Sequence, residues 1–253
     1  MKKFMIGVAA VLLFDLQAGA ALAAEGKELP EREWSFTGIF GQYDRGAMQR
    51  GLQVYREVCS GCHGLRFIAF RNLGALGYGE DEIKAIAAEY SIVDGPNEEG
   101  EMFERPGRPP DRFPSPFPND KAAAANNNGA VPPDLSLIVK ARTGGADYVH
   151  GLLTGYAEPP EDLEILEGQN YNLYFPGNVT AMAPPLFEDA VEYGDGTPAT
   201  VERMATDVAT FLAWTAEPEM EERKSMGIGV MLFLLVFTGV LYAVKRKVWA
   251  DLH

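Results

Sequence analysis

Cysteine is almost absent from this chain: only Cys59 and Cys62 occur in 253 residues. A disulfide framework is excluded, so the core must hold without covalent staples between distant segments. Histidine is nearly as scarce, at three residues. Basic charge is short as well, with 22 Lys and Arg against 36 Asp and Glu and a formal net charge of −14. The basic footprint of a phosphate binder is missing, which argues against nucleic acid as a partner. No strand-rich alternation and no internal repeat is visible. Neither a nucleophile–base pair nor an open metal site stands out, so the chain does not read as a self-contained enzyme.

Two long apolar runs are present, one at each end. Met1-Lys2-Lys3 is followed by an apolar stretch from Phe4 to Phe14 and by the small-residue exit Ala21-Leu22-Ala23. A positive start, apolar middle and A-x-A exit make residues 1–23 a secretory signal peptide, with Ala24 as first mature residue. The run is about half the roughly 20 residues of a spanning helix. Asp15 lies unusually close to it for a signal sequence. Residues 226–244 are different: they carry no charge and are long enough to cross a bilayer core. Lys245-Arg246-Lys247 follows directly, and a basic cluster past a span stays in the cytoplasm. No polar face interrupts the run, which separates it from a buried core helix. Both ends thus give one topology: residues 24–220 as a periplasmic head, 226–244 as a single anchor in a bacterial inner membrane, and 245–253 as a short cytoplasmic tail. Residues 1–23 carry +1 and residues 245–253 carry +2, which leaves −17 for the remainder. A field of that size steers cations toward the head.

The two cysteines fall within Cys59-Ser60-Gly61-Cys62-His63. Cys-x-x-Cys-His is the attachment signature of c-type haem. The two thiols add to the two vinyl groups on one porphyrin edge, and the two intervening residues match their separation. The histidine directly after the second thiol then lies under the ring, where it can ligate iron. Three other readings use the same residues. A structural zinc site needs a fourth ligand, from His150 or a carboxylate. A thioredoxin-type dithiol needs a βαβ pattern, which is not visible. A simple disulfide is the third.

Haem iron in an electron carrier usually takes a second protein ligand, and a methionine there raises the potential. Met48 and Met204 fall on apolar helix faces and read as core. Met102 and Met220 sit among acidic residues. Met182 lies in Ala181-Met182-Ala183-Pro184-Pro185-Leu186, a stretch too proline-rich for a helix and suited to presenting a thioether. His150 and an open iron position remain as alternatives, the last implying ligand chemistry rather than electron transfer.

Between these landmarks the pattern predicts helices and irregular chain. One helix runs from about Ala47 into the haem motif, on Met48, Leu52, Tyr55 and Cys59. Another covers Glu80 to Tyr90. A third follows Pro132-Pro133, with Asp134 as cap and Leu135, Ile138 and Val139 as apolar positions. A fourth follows Thr197-Pro198, with Thr197 as cap, and ends at Glu217-Pro218. Glu104 to Asp120 holds six prolines in seventeen residues and reads as loop, and Asn126-Asn127-Asn128-Gly129 as a turn. The expected fold is mainly α, a cytochrome c-like haem domain with long loop insertions plus one C-terminal transmembrane helix.

Taken together, these segments resemble the cytochrome c1 family, the haem subunit of the quinol–cytochrome c oxidoreductase (bc1) complex. The resemblance is carried by Arg50-Gly51-Leu52-Gln53-Val54-Tyr55, Asp94-Gly95-Pro96-Asn97-Glu98 and Gly100-Glu101-Met102-Phe103. It continues through Pro132-Pro133-Asp134-Leu135-Ser136, Leu152-Leu153-Thr154-Gly155-Tyr156, Met182-Ala183-Pro184-Pro185 and Trp214-Thr215-Ala216-Glu217-Pro218, in order along the chain. It implies one haem c on Cys59 and Cys62, with His63 and Met182 as axial ligands. It also implies that Arg142 lies near a haem propionate, where a guanidinium suits a carboxylate; the alternative is an exposed helix charge. The implied partners are cytochrome b beside the span, a Rieske iron–sulfur protein as electron donor, and a soluble cationic cytochrome c as acceptor, for which the acidic head is a steering field. Two rivals stay open: a free-standing anchored relay without cytochrome b, and a sensing or catalytic haem protein with an open iron position.

Overall fold

A computed structural model describes residues 27–250; the signal sequence expected at 1–23 lies outside them. Helix α1 (Arg45–Val54) starts at Asp44, whose carboxylate accepts the Ala47 amide at 3.0 Å. Its buried face is Ala47, Met48, Gly51, Leu52 and Val54. The expected start near Ala47 is therefore two residues late, because the capping Asp44 precedes any apolar position. The helix then widens into one π-type turn, Tyr55–Cys59, with the Ser60 amide bonding back to the Tyr55 carbonyl at 2.8 Å. Such bulges mark functional sites in helices, and this one leads directly into the Cys-x-x-Cys-His turn.

A 3₁₀ segment, Phe70–Leu76, packs on α1, and helix α2 (Glu80–Ala88) packs on that segment, burying Phe70, Leu73, Leu76, Ile83 and Ile86. Strands β1 (Ser91–Asp94) and β2 (Phe103–Pro106) form an antiparallel hairpin. The region from Glu104, expected as loop, thus begins inside a strand. Arg105 fastens the hairpin by pairing with Asp94 and, at 2.6 and 3.0 Å, with Asp111. Three short helices follow: α3 (Asp120–Asn126), α4 (Ile138–Ala141) and α5 (Gly145–Thr154). Strands β3 (Asn170–Tyr171) and β4 (Val179–Thr180) make a second small ladder.

Helix α6 (Val201–Ala216) crosses the domain, buried on almost every side. Its cap is Thr200, whose hydroxyl accepts the Arg203 amide at 3.2 Å. Thr197, the expected cap, instead closes a turn on Asp195, while the next carbonyl but one, Ala199 O, is taken by the Asp189 amide at 3.0 Å. That pairing keeps residues 198–199 out of the helix. The helix does stop at Glu217-Pro218. Met48 and Met204 are fully buried core residues at the α1–α6 contact level.

Helix α7 (Met220–Val248) is long and apolar enough to cross a membrane. Its helix begins six residues before the charge-free stretch and continues through Lys245-Arg246-Lys247. Met220 is buried against the head. Glu221 accepts the Tyr43 amide at 2.7 Å and forms a two-pronged pair with Arg45, both contacts 3.0 Å. The head and the first turn of α7 are therefore joined by specific bonds rather than by a loose tether.

Candidate haem site

One cavity of about 630 Å³ opens in the head, apolar over most of its wall. That size is within the roughly 300–1,000 Å³ of small-molecule and cofactor sites. Cys59, Cys62 and His63 line one part of it, and Met182 with Pro184 and Pro185 another. Val149, Leu152 and Leu153 of α5 and Val208 and Leu212 of α6 supply the apolar floor. The loop 126–135 closes a further side.

The Cys-x-x-Cys-His turn is held by its own backbone, with the Cys62 and His63 amides both donating to the Cys59 carbonyl at 3.1 and 2.9 Å. Tyr55 donates its hydroxyl to the His63 carbonyl at 3.0 Å. The His63 ring sits 2.8 Å by Nδ1 from the Pro133 carbonyl. A carbonyl only accepts, so Nδ1 carries the hydrogen and Nε2 keeps its lone pair. A second partner of this kind fixes the tautomer and ring orientation of a ligating histidine. Burial lowers the His63 pKa, although Pro133 and Asp134 oppose it, which keeps the ring neutral as a ligand requires.

Pro133 is in turn positioned by Asp134. Its carboxylate accepts the Arg66 amide at 2.9 Å and the Ser136 amide at 3.0 Å, and Leu135 donates to Gly64 O at 2.8 Å. Asp134 is thus not the cap of a helix beginning at once, as its position after two prolines suggests. It ties the chain after His63 to the segment that carries the acceptor, and α4 starts only at Ile138.

Burial pushes the Cys59 thiol up to about 12, with Cys62 as the smaller cause. No group of three or more His, Cys, Asp or Glu side chains gathers as a metal site among the described residues. His150, the remaining fourth-ligand candidate, points elsewhere. It is buried on α5 with its Nε2 3.2 Å from Glu202 and its ring edge-on to Trp34, and it does not line the cavity. The zinc reading finds no fourth ligand among the described residues.

Met182 sits on a braced loop. Its amide donates to Thr180 Oγ1 at 3.1 Å, and its carbonyl accepts the Tyr156 hydroxyl at 3.0 Å. Below it, buried Asn172 holds the β3–β4 turn by accepting the Tyr174 and Phe175 amides and donating to Leu152 O at 2.8 Å. Arg142 follows α4 with an extended backbone and reaches the cavity rim. It is exposed and makes no ion pair among the described residues. Sequence reasoning missed Pro133, Tyr156 and Thr180. Pro133 and Thr180 act through atoms whose partners are set only by the fold, and nothing in the local sequence marks them.

The residues present suit a covalently attached haem: two thiols and a neutral imidazole on one wall, a thioether on another, and an apolar cavity between. Fold and site define a class, a helical domain with a large apolar cavity lined by a Cys-x-x-Cys-His turn, followed by a membrane-length helix. The Cytochrome C1 family model matches residues 34–252. Cytochrome c1 of Rhodospirillum rubrum is 52% identical over 250 residues, covering 92% of each chain. A cytochrome b/c1 protein of Bradyrhizobium diazoefficiens is 51% identical over 98% of this chain, which spans 39% of that protein's length. A mitochondrial cytochrome c1 heme protein of Saccharomyces cerevisiae is 48% identical, covering 94% of this chain and 77% of its own. The chain belongs to the cytochrome c1 family, the haem-carrying electron-transfer subunit of the bc1 complex, a redox subunit rather than a catalyst in itself.

Proposed function

We propose that this chain holds one haem c through thioether bonds at Cys59 and Cys62, with His63 and Met182 as its axial ligands and Arg142 beside a propionate. It takes one electron from a Rieske iron–sulfur protein and passes one to a soluble cationic cytochrome c, next to cytochrome b. The head is periplasmic and α7 anchors it in the inner membrane of a bacterium, with Lys245-Arg246-Lys247 on the cytoplasmic side. The observation that carries this reading is the single cavity lined by Cys59, Cys62, His63 and Met182, with His63 Nδ1 engaged by Pro133.

Bound haem supplies a one-electron iron couple. The protein's part is to set the surroundings. His63 presents a neutral nitrogen whose orientation the Pro133 carbonyl fixes. Met182 presents a soft thioether, which raises the potential of iron relative to a harder donor. Val149, Leu152, Val208 and Leu212 exclude water from the cavity floor, and low polarity disfavours the more highly charged oxidised state. Arg142 at the rim offers a guanidinium to a carboxylate. The acidic head raises the local concentration of a cationic partner, so electron release to it weakens as salt rises.

The test is purification in mild detergent through a C-terminal tag, followed by a reduced-minus-oxidised spectrum. Bands of b-type haem beside the c-type band, and reduction of the c haem by quinol, are expected. A c haem that elutes alone and stays oxidised with quinol would replace the bc1 role with a free-standing relay. Carbon monoxide binding to the reduced native protein at neutral pH would remove Met182 as ligand.

A further inference from the structure

The two most exposed large apolar side chains of the described head are neighbours, Ile39 at 69% and Phe40 at 83%. Large apolar groups gathered at one exposed point mark a contact surface. The loop that carries them is built to hold its shape. The Thr37 amide donates to Trp34 O at 3.0 Å, Gly41 to Gly38 O at 3.4 Å and Gln42 to Ser35 O at 3.0 Å. Gly38 has φ +72°, and a Cβ on Gly41 would lie 2.0 Å from Thr37 O. The turn therefore needs both glycines. Phe36 roots it between Trp34 and Tyr43, with ring centroids at 5.5 and 5.3 Å.

The same loop is fastened to the anchor. Lys224 in the second turn of α7 donates to Phe36 O at 2.7 Å and to Gly41 O at 3.1 Å, the two ends of the loop. Tyr43 donates to Ala213 O and Glu217 O at 3.1 and 3.2 Å, at the junction of α6 and α7. Lys224 precedes the first residue of the charge-free stretch by two positions, about 3 Å along the helix axis. The headgroup layer adds roughly 5–8 Å to each side of the hydrocarbon core. Lys224 therefore lies at headgroup depth when α7 crosses the bilayer, and the loop it grips lies beside it.

We propose that the Ile39–Phe40 tip is a second membrane contact of this chain, inserted into the head-side interface of the lipid bilayer next to α7. An aromatic–aliphatic pair on a rigid turn suits that layer, where apolar side chains are buried a few ångströms below the headgroups. Two attachment points, span and tip, fix the tilt of the head against the bilayer plane, which one helix alone leaves free. The inference rests on α7 crossing the bilayer.

The haem-loaded full chain, in nanodiscs of mixed neutral and anionic phospholipid, carries a nitroxide at Phe40→Cys or, separately, at Ile39→Cys. Collisions of the label with oxygen, which partitions into lipid, are compared with collisions with an aqueous nickel chelate. Leu235→Cys in the span and Glu98→Cys in the exposed hairpin loop are the references. The tip label is expected to favour oxygen over nickel in the same sense as Leu235→Cys and opposite to Glu98→Cys. A tip label that favours nickel like Glu98→Cys overturns the proposal. So does a label shielded from both reagents, which would place a second copy of the chain on the tip. A Leu235→Cys label that favours nickel would instead remove the span itself, a separate failure.

Discussion

The α1–α6 crossing can be tested by adding a single carbon atom. Gly51 lies where the two helices meet, and a Cβ there would fall 2.1 Å from Asp207 O and 2.6 Å from the Phe211 Cβ. Carbon contacts are favourable at about 3.5–4.0 Å, so α6 would have to retreat by more than an ångström. Neither obstacle is a flexible side-chain end. Overpacking of this kind costs about 1–3 kcal/mol, and backbone on one side places Gly51→Ala at the upper end. Alanine recovers about 1 kcal/mol of helix propensity, leaving a net loss of about 2 kcal/mol. For a domain of this size that lowers Tm by about 4–8 °C. Gly46→Ala, in the same helix, is the control. Its Cβ would meet only the Asp44 and Arg50 side-chain ends, at 3.3 and 3.4 Å. It should be neutral or stabilising by up to about 1 kcal/mol. Thermal melts of both variants in detergent, followed by near-ultraviolet circular dichroism, give the difference. Equal melting of the two variants, or a Gly51→Ala protein as stable as the parent, would refute the tight crossing.

Other outcomes follow from the same contacts. Met182→Leu keeps the loop's volume but removes the thioether, so redox titration should show a lower midpoint potential and the reduced protein should bind carbon monoxide; an unchanged potential would assign the ligand elsewhere. Asp134→Ala removes a carboxylate that accepts two amides, and should cost about 2 kcal/mol in the melt. The Arg105 guanidinium holds the Asp94 and Asp111 carboxyls below the usual range. A depressed folded-state pKa means that the unfolded chain binds protons first as pH falls. The stabilisation of the β1–β2 hairpin is therefore complete above about pH 4 and fades below it; amide protection in residues 91–106, corrected for the intrinsic exchange rate, should fall there, and should already be low at neutral pH in Arg105→Gln.

Much of the candidate site was legible along the chain because it is written in contiguous residues. The Cys59–His63 motif and the charge-free 226–244 stretch each sit in one short segment, where spacing alone carries the meaning. The Met182 segment stood out too, as one alternative among several by its residues and as the implied ligand by the family resemblance. The helices with clear apolar stripes, α1, α2 and α6, were legible for the same reason. Helix α5 was not, since Gly144, Gly145 and Gly151 blur its pattern. Gly151 also sits close to its neighbours: a Cβ would meet Leu29 and the Tyr174 ring at 3.2–3.3 Å.

The sequence by itself determined the Cys59–His63 motif, the charge-free 226–244 stretch and the sign of the net charge. Those depend on neighbours in the chain and on composition. Only the tertiary structure decided which threonine caps α6, that Asp134 grips Arg66 rather than a helix start, and that Pro133 fixes His63. It also placed His150 outside the cavity, and tied the Phe36 and Gly41 carbonyls to Lys224 of α7. Each of these is a meeting of residues far apart in sequence, and the partners of a carbonyl or an exposed ring are chosen by packing rather than by local pattern.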